Sequence, residues 1–159
     1  MYYTWFESPI GKILLAGDER GLTRIGFPKG KMKMGPETTW QINPQPFKAV
    51  TRQLQAYFDG KLTTFNLKLA PKGTEFQLSV WKALQEIPYG ETMSYSELAK
   101  KIGRPKASRA VGAANGNNPL PIVMPCHRVI GINGSLTGFG GGLPTKQFLL
   151  ELEKSVRLT

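Results

Sequence analysis

The chain has 159 residues, 40% of them hydrophobic with three Trp, and carries 21 Lys and Arg against 11 Asp and Glu, a formal net charge of +10. That is enough for one compact domain or two small ones sharing a core. A single Cys and a single His exclude an internal disulfide, and with it a secreted disulfide scaffold, and exclude zinc sites of the four-Cys or two-Cys-two-His kind. The opening Met-Tyr-Tyr-Thr-Trp has no basic n-region and no apolar h-region, so no signal peptide is expected. Every apolar run is far shorter than a membrane span, so no membrane partner is expected either, and a reducing cytoplasm fits the free thiol.

Tyr2–Phe6, Lys12–Ala16 and Leu22–Gly26 are aromatic, β-branched or apolar runs separated by turn residues, which predicts an antiparallel meander. Pro28 to Pro46, rich in Lys, Gly and Pro, reads as an irregular surface loop. Asn43-Pro44 reads as an N-cap and first helical position, Phe47, Val50, Leu54, Tyr57 and Phe58 follow at helical spacing, and Gly60 is a stop. Phe65–Leu69 is a candidate fourth strand. Two capping boxes, Thr74-Glu-Phe-Gln77 and Ser94-Tyr-Ser-Glu97, open the next two helices, and Pro88-Tyr-Gly90 separates them. Gly103-Arg-Pro105 turns the chain into a small-residue helix from Lys106 to about Asn115. Helix, tight turn and Ala-rich basic helix make a helix-turn-helix signature, with an ordinary helical hairpin as the plainer reading. The last helix starts near Pro144 with Phe148, Leu149 and Leu152 on one side. A boundary near 70–74 gives two units, an α/β unit at 1–72 and a mostly helical one at 73–159.

The 53 residues from Leu98 to Leu150 hold no Asp or Glu but seven cations: Lys100, Lys101, Arg104, Lys106, Arg109, Arg128 and Lys146. Such a run creates a positive field, and DNA has the matching charge density. Within it the only Cys, Cys126, directly precedes the only His, His127. A thiolate is a strong nucleophile and imidazole is the side chain suited to remove its proton near neutral pH. The competing reading is a buried structural Cys beside a core His. In extended chain the two side chains point to opposite faces, so a water between them is the expected proton path. The imidazole then needs an orienting carboxylate. Glu151 and Glu153 are the nearest C-terminal candidates; Glu153 is chosen, although spacing alone does not separate them. Pro121 and Pro125 frame the segment, and Asn117 and Asn118 lie where Asn braces a turn.

Pro125-Cys-His-Arg-Val129 resembles the active-site signature of the O6-alkylguanine-DNA alkyltransferases (methylated-DNA–protein-cysteine methyltransferases). Tyr95-Ser-Glu-Leu-Ala99, Ser108-Arg-Ala-Val-Gly112, Asn118-Pro-Leu-Pro121, Thr137-Gly-Phe-Gly-Gly-Gly142 and the Lys146…Glu153 helix are similar to the family's other blocks, in its order. The resemblance is specific over roughly 74–155, and 1–70 is similar to the family's ribonuclease-H-like α/β N-terminal domain. It implies irreversible, single-turnover transfer of the alkyl group from O6-alkylguanine, and from O4-alkylthymine, in double-stranded DNA to Cys126. His127 would act as base through water and Glu153 would hold His127. Tyr95 would donate to guanine N3 and crowd the flipped nucleotide's phosphate, Arg109 would fill the stack, and Asn118 would brace the active-site turn. Ala107, Ser108, Ala110 and Arg128 would contact DNA, mainly in the minor groove, and Pro121, Val129, Phe139 and Gly140 would line the base and alkyl pocket. Phe139 stands where other members of the family carry Tyr, and Gly140 where some carry Ser.

The resemblance implies a monomer with no cofactor, and no Gly-rich nucleotide loop or adenosylmethionine pattern is present. The Cys and His ligands of the N-terminal zinc site found in some relatives are absent, so no metal is expected. Two other readings compete: a DNA-binding or damage-sensing module without chemistry, and a thiol hydrolase, which the adjacency of the only Cys and His disfavours.

Overall fold

The structure, a computed structural model, describes residues 1–27, 36–131 and 142–157. The expected meander forms as β1 (Tyr2–Ser8), β2 (Gly11–Asp18) and β3 (Gly21–Gly26), antiparallel throughout. A two-residue strand, β4 (Gln41–Ile42), pairs parallel to β1 and makes the sheet order β3-β2-β1-β4. It lies inside the segment read as irregular, and two residues are too few to show an alternating pattern. The strand expected at Phe65–Leu69 shrinks to one bridge, Leu22 to Leu69. The reason is that the outer edge of β3 is shared. Leu22 exchanges hydrogen bonds with Lys68 and Ala70, while the Ile25 amide donates to Pro119 O at 2.8 Å, in the C-terminal half. Gly21 permits this approach: it sits at φ +136°, and a Cβ there would lie 2.6 Å from Lys68 O.

Asn43 accepts from the Gln45 amide, Pro44 caps a 3-10 turn (Gln45–Phe47), and helix α1 (Lys48–Phe58) follows, so the α-helix starts later than expected. Gly60 ends it at φ +72° in a Schellman arrangement, with Lys61 N donating to Ala56 O and Gly60 N to Tyr57 O. Both capping boxes form, Thr74 at the start of α2 (Glu75–Leu84) and Ser94 at the start of α3 (Tyr95–Lys101). A turn with Gly103 at φ +77° leads into α4 (Ser108–Gly116), which packs on α3 as a helix-turn-helix. Helix α5 spans Leu143–Arg157; Leu149 is fully buried and Leu152 partly, but Phe148 is exposed.

One apolar cluster runs through the molecule, from Phe6, Ile13, Leu54 and Tyr57 through Trp81 and Leu84 to Val111, Leu120, Met124 and Leu149. Each fully buried side chain of this size contributes about 1.5–3 kcal/mol. Trp81 also donates from its indole to Ala114 O at 2.8 Å, which ties α2 to α4. The parallel pair β5 (Met93–Ser94) and β6 (Val129–Ile130) then joins the start of α3 to the residues just after Cys126. Tyr95 is placed beside the thiol segment by that short pairing.

Candidate active site and nucleic-acid face

Residues 120–129 are buried without a break. Asn118 holds this segment in a tight turn: its Nδ2 donates to Met124 O at 2.7 Å and its Oδ1 accepts from the Leu120 amide at 2.8 Å. Inside the turn Ile122 sits at φ +76°, a costly conformation for a β-branched residue, worth about 1–3 kcal/mol. The buried Asn118 braces and the packing of Ile122, 1% exposed, hold it there. Cys126, His127 and Arg128 form one 3-10 turn, not an extended strand. Three residues per turn still separate neighbouring side chains by about 120°. The turn therefore replaces the extended geometry expected, and keeps the two side chains from facing each other.

His127 is fully buried, and its Nε2 lies 2.5 Å from Glu153 Oε2. Its Nδ1 is buried with no hydrogen-bond partner among the described residues. Burial lowers the His127 pKa below its ordinary value, so the ring is neutral, with its proton on Nε2 facing the carboxylate. Burial alone would raise Glu153, but the hydrogen bond from His127 and the hydrogen bonds and positive charge of Arg128 outweigh it and bring its pKa to about 2. Arg128 donates Nε to Oε1 at 2.8 Å and Nη2 to Oε2 at 3.1 Å, and its Nη1 donates to Ile87 O at 2.7 Å. The Gly90 amide and the Tyr57 hydroxyl complete the shell of Glu153 at 3.1 and 2.6 Å. Glu151, the other carboxylate candidate, is exposed and accepts from Gln147.

Burial pushes the Cys126 thiol up to about 11, against opposing pulls from Asn118 and the positive charge of Lys146. Lys146 is itself buried, which depresses its pKa to about 8, and its Nζ donates to Val129 O at 2.6 Å. The resting sulfur is thus a thiol, and the adjacent residue is a neutral imidazole whose Nδ1 has no partner among the described residues.

A 6-O-methylguanine DNA methyltransferase DNA-binding-domain model matches residues 75–155, and the ribonuclease-like-domain model of the same name matches 1–71. The chain belongs to the 6-O-methylguanine DNA methyltransferase family. It is 62% identical over 155 residues to the methylated-DNA–protein-cysteine methyltransferase of Methanosarcina acetivorans, covering 98% of this chain and 99% of that one. The Haemophilus influenzae protein of that name is 46% identical, over 97% of this chain and 87% of its own. Among solved structures, Mycobacterium tuberculosis OGT in complex with DNA superposes with a TM-score of 0.92 at 51% identity, over 98% of this chain and 94% of that one.

In this member of the methyltransferase family, the outer face is made by α3, the turn and α4. Lys100, Lys101, Arg104, Lys106 and Arg109 are exposed there. Ala107 and Ser108 are partly exposed, Ala110 is exposed, and Gly112 faces the Tyr95 ring, where a Cβ would lie 3.8 Å away. Pro121 and Val129 are buried at the Cys126 turn, whereas Phe139 and Gly140 fall outside the described residues. Arg128 requires a correction. It is 5% exposed and spends its donors on Glu153 and Ile87, so it is not part of a DNA-contacting surface.

Several residues escaped the sequence reading. Tyr57 and Gly90 looked like a core aromatic and a turn glycine, Lys146 like one more surface cation, and Asn115 like a helix end. Asn115 donates from Nδ2 to Cys126 O at 3.4 Å. Only the rarity of carboxylates near the thiol signalled anything, since it forces any orienting acid to come from far along the chain.

Proposed function

We propose that this protein repairs DNA directly, moving the alkyl group from O6 of guanine, and from O4 of thymine, in duplex DNA onto Cys126 once per molecule. In-line attack forms a bond from Cys126 Sγ to the alkyl carbon as the bond from that carbon to O6 breaks. The thiol proton passes through a water to His127 Nδ1, and the resulting imidazolium is held by Glu153. The electron pair leaves with guanine, and the Tyr95 hydroxyl meets the developing charge at N3. The thioether is stable and the chain has no second thiol, so the protein is consumed.

One observation carries this reading. His127 has one nitrogen committed to an anionic Glu153 and the other buried without a partner among the described residues, immediately after a buried thiol. A thiol raised to about 11 needs a base during attack, and a neutral imidazole supplies one. A buried sulfur also requires the base to leave the stack, which costs a few kcal/mol. Arg109, exposed on the second residue of α4, fills the gap left in the stack. Ala107, Ser108 and Ala110 let α4 approach the minor groove closely, where readout is weak and damage in any context is accepted. Asn118 holds the turn, and Pro121, Val129, Phe139 and Gly140 line the base and alkyl pocket. The protein acts as a monomer in the cytoplasm, as two units divided near 72–73.

The test is the intact mass after incubation with duplex DNA containing O6-methylguanine. One methyl is gained, it maps to Cys126, and Cys126→Ser gains none. Tight binding with no mass gain overturns the reading in favour of a DNA-binding module without chemistry.

A further inference from the structure

Among the described residues, five donors hold Glu153 on its two oxygens. Oε1 accepts from Arg128 Nε and the Gly90 amide, and Oε2 accepts from His127 Nε2, Arg128 Nη2 and the Tyr57 hydroxyl. Four of these come from residues within the DNA-binding-domain match. The fifth comes from α1, inside the ribonuclease-like match and 96 residues away in sequence. It falls on the same oxygen that holds His127. A carboxylate offers about four lone-pair sites, so every donor on Oε2 limits how strongly that oxygen can draw on the imidazole.

Packing does not require the hydroxyl. The Tyr57 ring is fully buried against Phe58, Phe65 and Tyr89, at centroid distances of 5.4, 5.5 and 6.2 Å, and Phe would fill that space equally well. What Phe lacks is the 2.6 Å donor to a buried anion, the kind of hydrogen bond that is worth most when charge is involved.

We propose that Tyr57 is a positioning residue for alkyl transfer: its hydroxyl fixes Glu153 Oε2 against His127 and moderates the pull of that carboxylate on the imidazole. This rests on reading His127 as the base for Cys126. It gives the ribonuclease-like part of the chain a hand in aligning the carboxylate behind His127. Burial, followed by the Glu153 charge, pushes the Tyr57 phenol upward, so it stays protonated and donates. The other groups facing Glu153 are Tyr89, the Gly90 amide and Arg128, and Lys146 acts on His127 from α5.

The sign follows from the shared oxygen. Removing the hydroxyl leaves more charge on Oε2, stabilises the imidazolium, and moves the His127 titration up. Strengthening the donor moves it down. Because His127 is the only histidine, its ring resonances in 15N and 13C NMR are unambiguous.

The experiment compares wild type, Tyr57→Phe and full-length protein carrying 3-fluorotyrosine at position 57. Single-turnover methyl transfer from O6-methylguanine duplex is measured against pH, alongside the His127 resonances. Tyr57→Phe is expected to slow transfer at neutral pH on the order of tenfold, and to raise the His127 titration and the acid limb of the rate profile together by about half a unit. Fluorotyrosine, a stronger donor, shifts His127 the opposite way. Lower thermal stability in Tyr57→Phe with an unchanged titration and rate profile overturns the proposal and leaves Tyr57 a packing residue. If Tyr57→Phe does not fold, an unmoved His127 titration in the fluorotyrosine protein overturns it equally. Failure of wild type to gain a methyl sinks the repair reading instead, while the His127 comparison still reports on Tyr57.

Discussion

Two groups of cations from one acid-free run do opposite work. Lys100, Lys101, Arg104, Lys106 and Arg109 stand exposed on α3, the turn and α4, Lys101 paired with Glu86 at 3.3 Å and Arg104 over the Phe76 ring, where a polyanion can reach them. Arg128 and Lys146 are buried beside the thiol and spend their donors on Glu153, Ile87 O and Val129 O. The difference teaches that net charge counts both groups alike, although only the exposed one can meet a partner. The inner pair sets the charge around a buried sulfur, and removing either member leaves a buried group unsatisfied.

The largest effect that would sharpen this contrast is on stability. Arg128→Ala strips Glu153 of two hydrogen bonds and leaves a buried carboxylate undercompensated, which should cost about 3–5 kcal/mol in urea unfolding. Arg109→Ala should stay within about 0.5 kcal/mol of wild type in the same measurement. Equal costs would break the division into inner and outer cations.

Acid should act on the inner group first. Glu153 has its folded pKa depressed to about 2 from an ordinary 4.5, so its contribution is present above the ordinary value and is lost as pH falls from there toward 2. Unfolding followed by circular dichroism should show that loss in wild type, and Glu153→Gln, already without the charge, should show a flatter pH dependence over the same window.

Next comes function on the outer face. Arg109→Ala should slow repair of duplex O6-methylguanine about tenfold or more while leaving reaction with free O6-benzylguanine nearly unchanged. Equal losses on both substrates would remove its stack-filling role. The smallest effect is electrostatic. Lys106→Ala should weaken duplex binding about uniformly across sequences and reduce the slope of log affinity against log salt by about one. An unchanged slope would place Lys106 away from phosphate.

Local chemistry could be read directly from residue order. Thr74 and Ser94 announced their helices because a capping box is complete within four residues, and both boxes form as written. The meander, the helix-turn-helix and the thiol-imidazole pair were visible for the same reason. Arg128 was misread because a basic residue beside an active-site motif looks the same whether it turns outward or inward. The strand expected at 65–69 did not form because its partner edge on β3 is divided between Lys68, Ala70 and the distant Pro119.

Residue order therefore put the one thiol, the one imidazole and the cationic run on view, since each is a matter of which residue types exist and where they neighbour one another. A lone Cys beside a lone His leaves no alternative pair. Tertiary packing decided which carboxylate serves His127 and which cations are withdrawn from solvent. It also decided that a tyrosine 96 residues away shares the Glu153 oxygen that faces His127. Those choices depend on burial, where a charge persists only if enough donors converge on it, and convergence from α1, the 85–92 loop, the Cys126 turn and α5 is a property of the packed core.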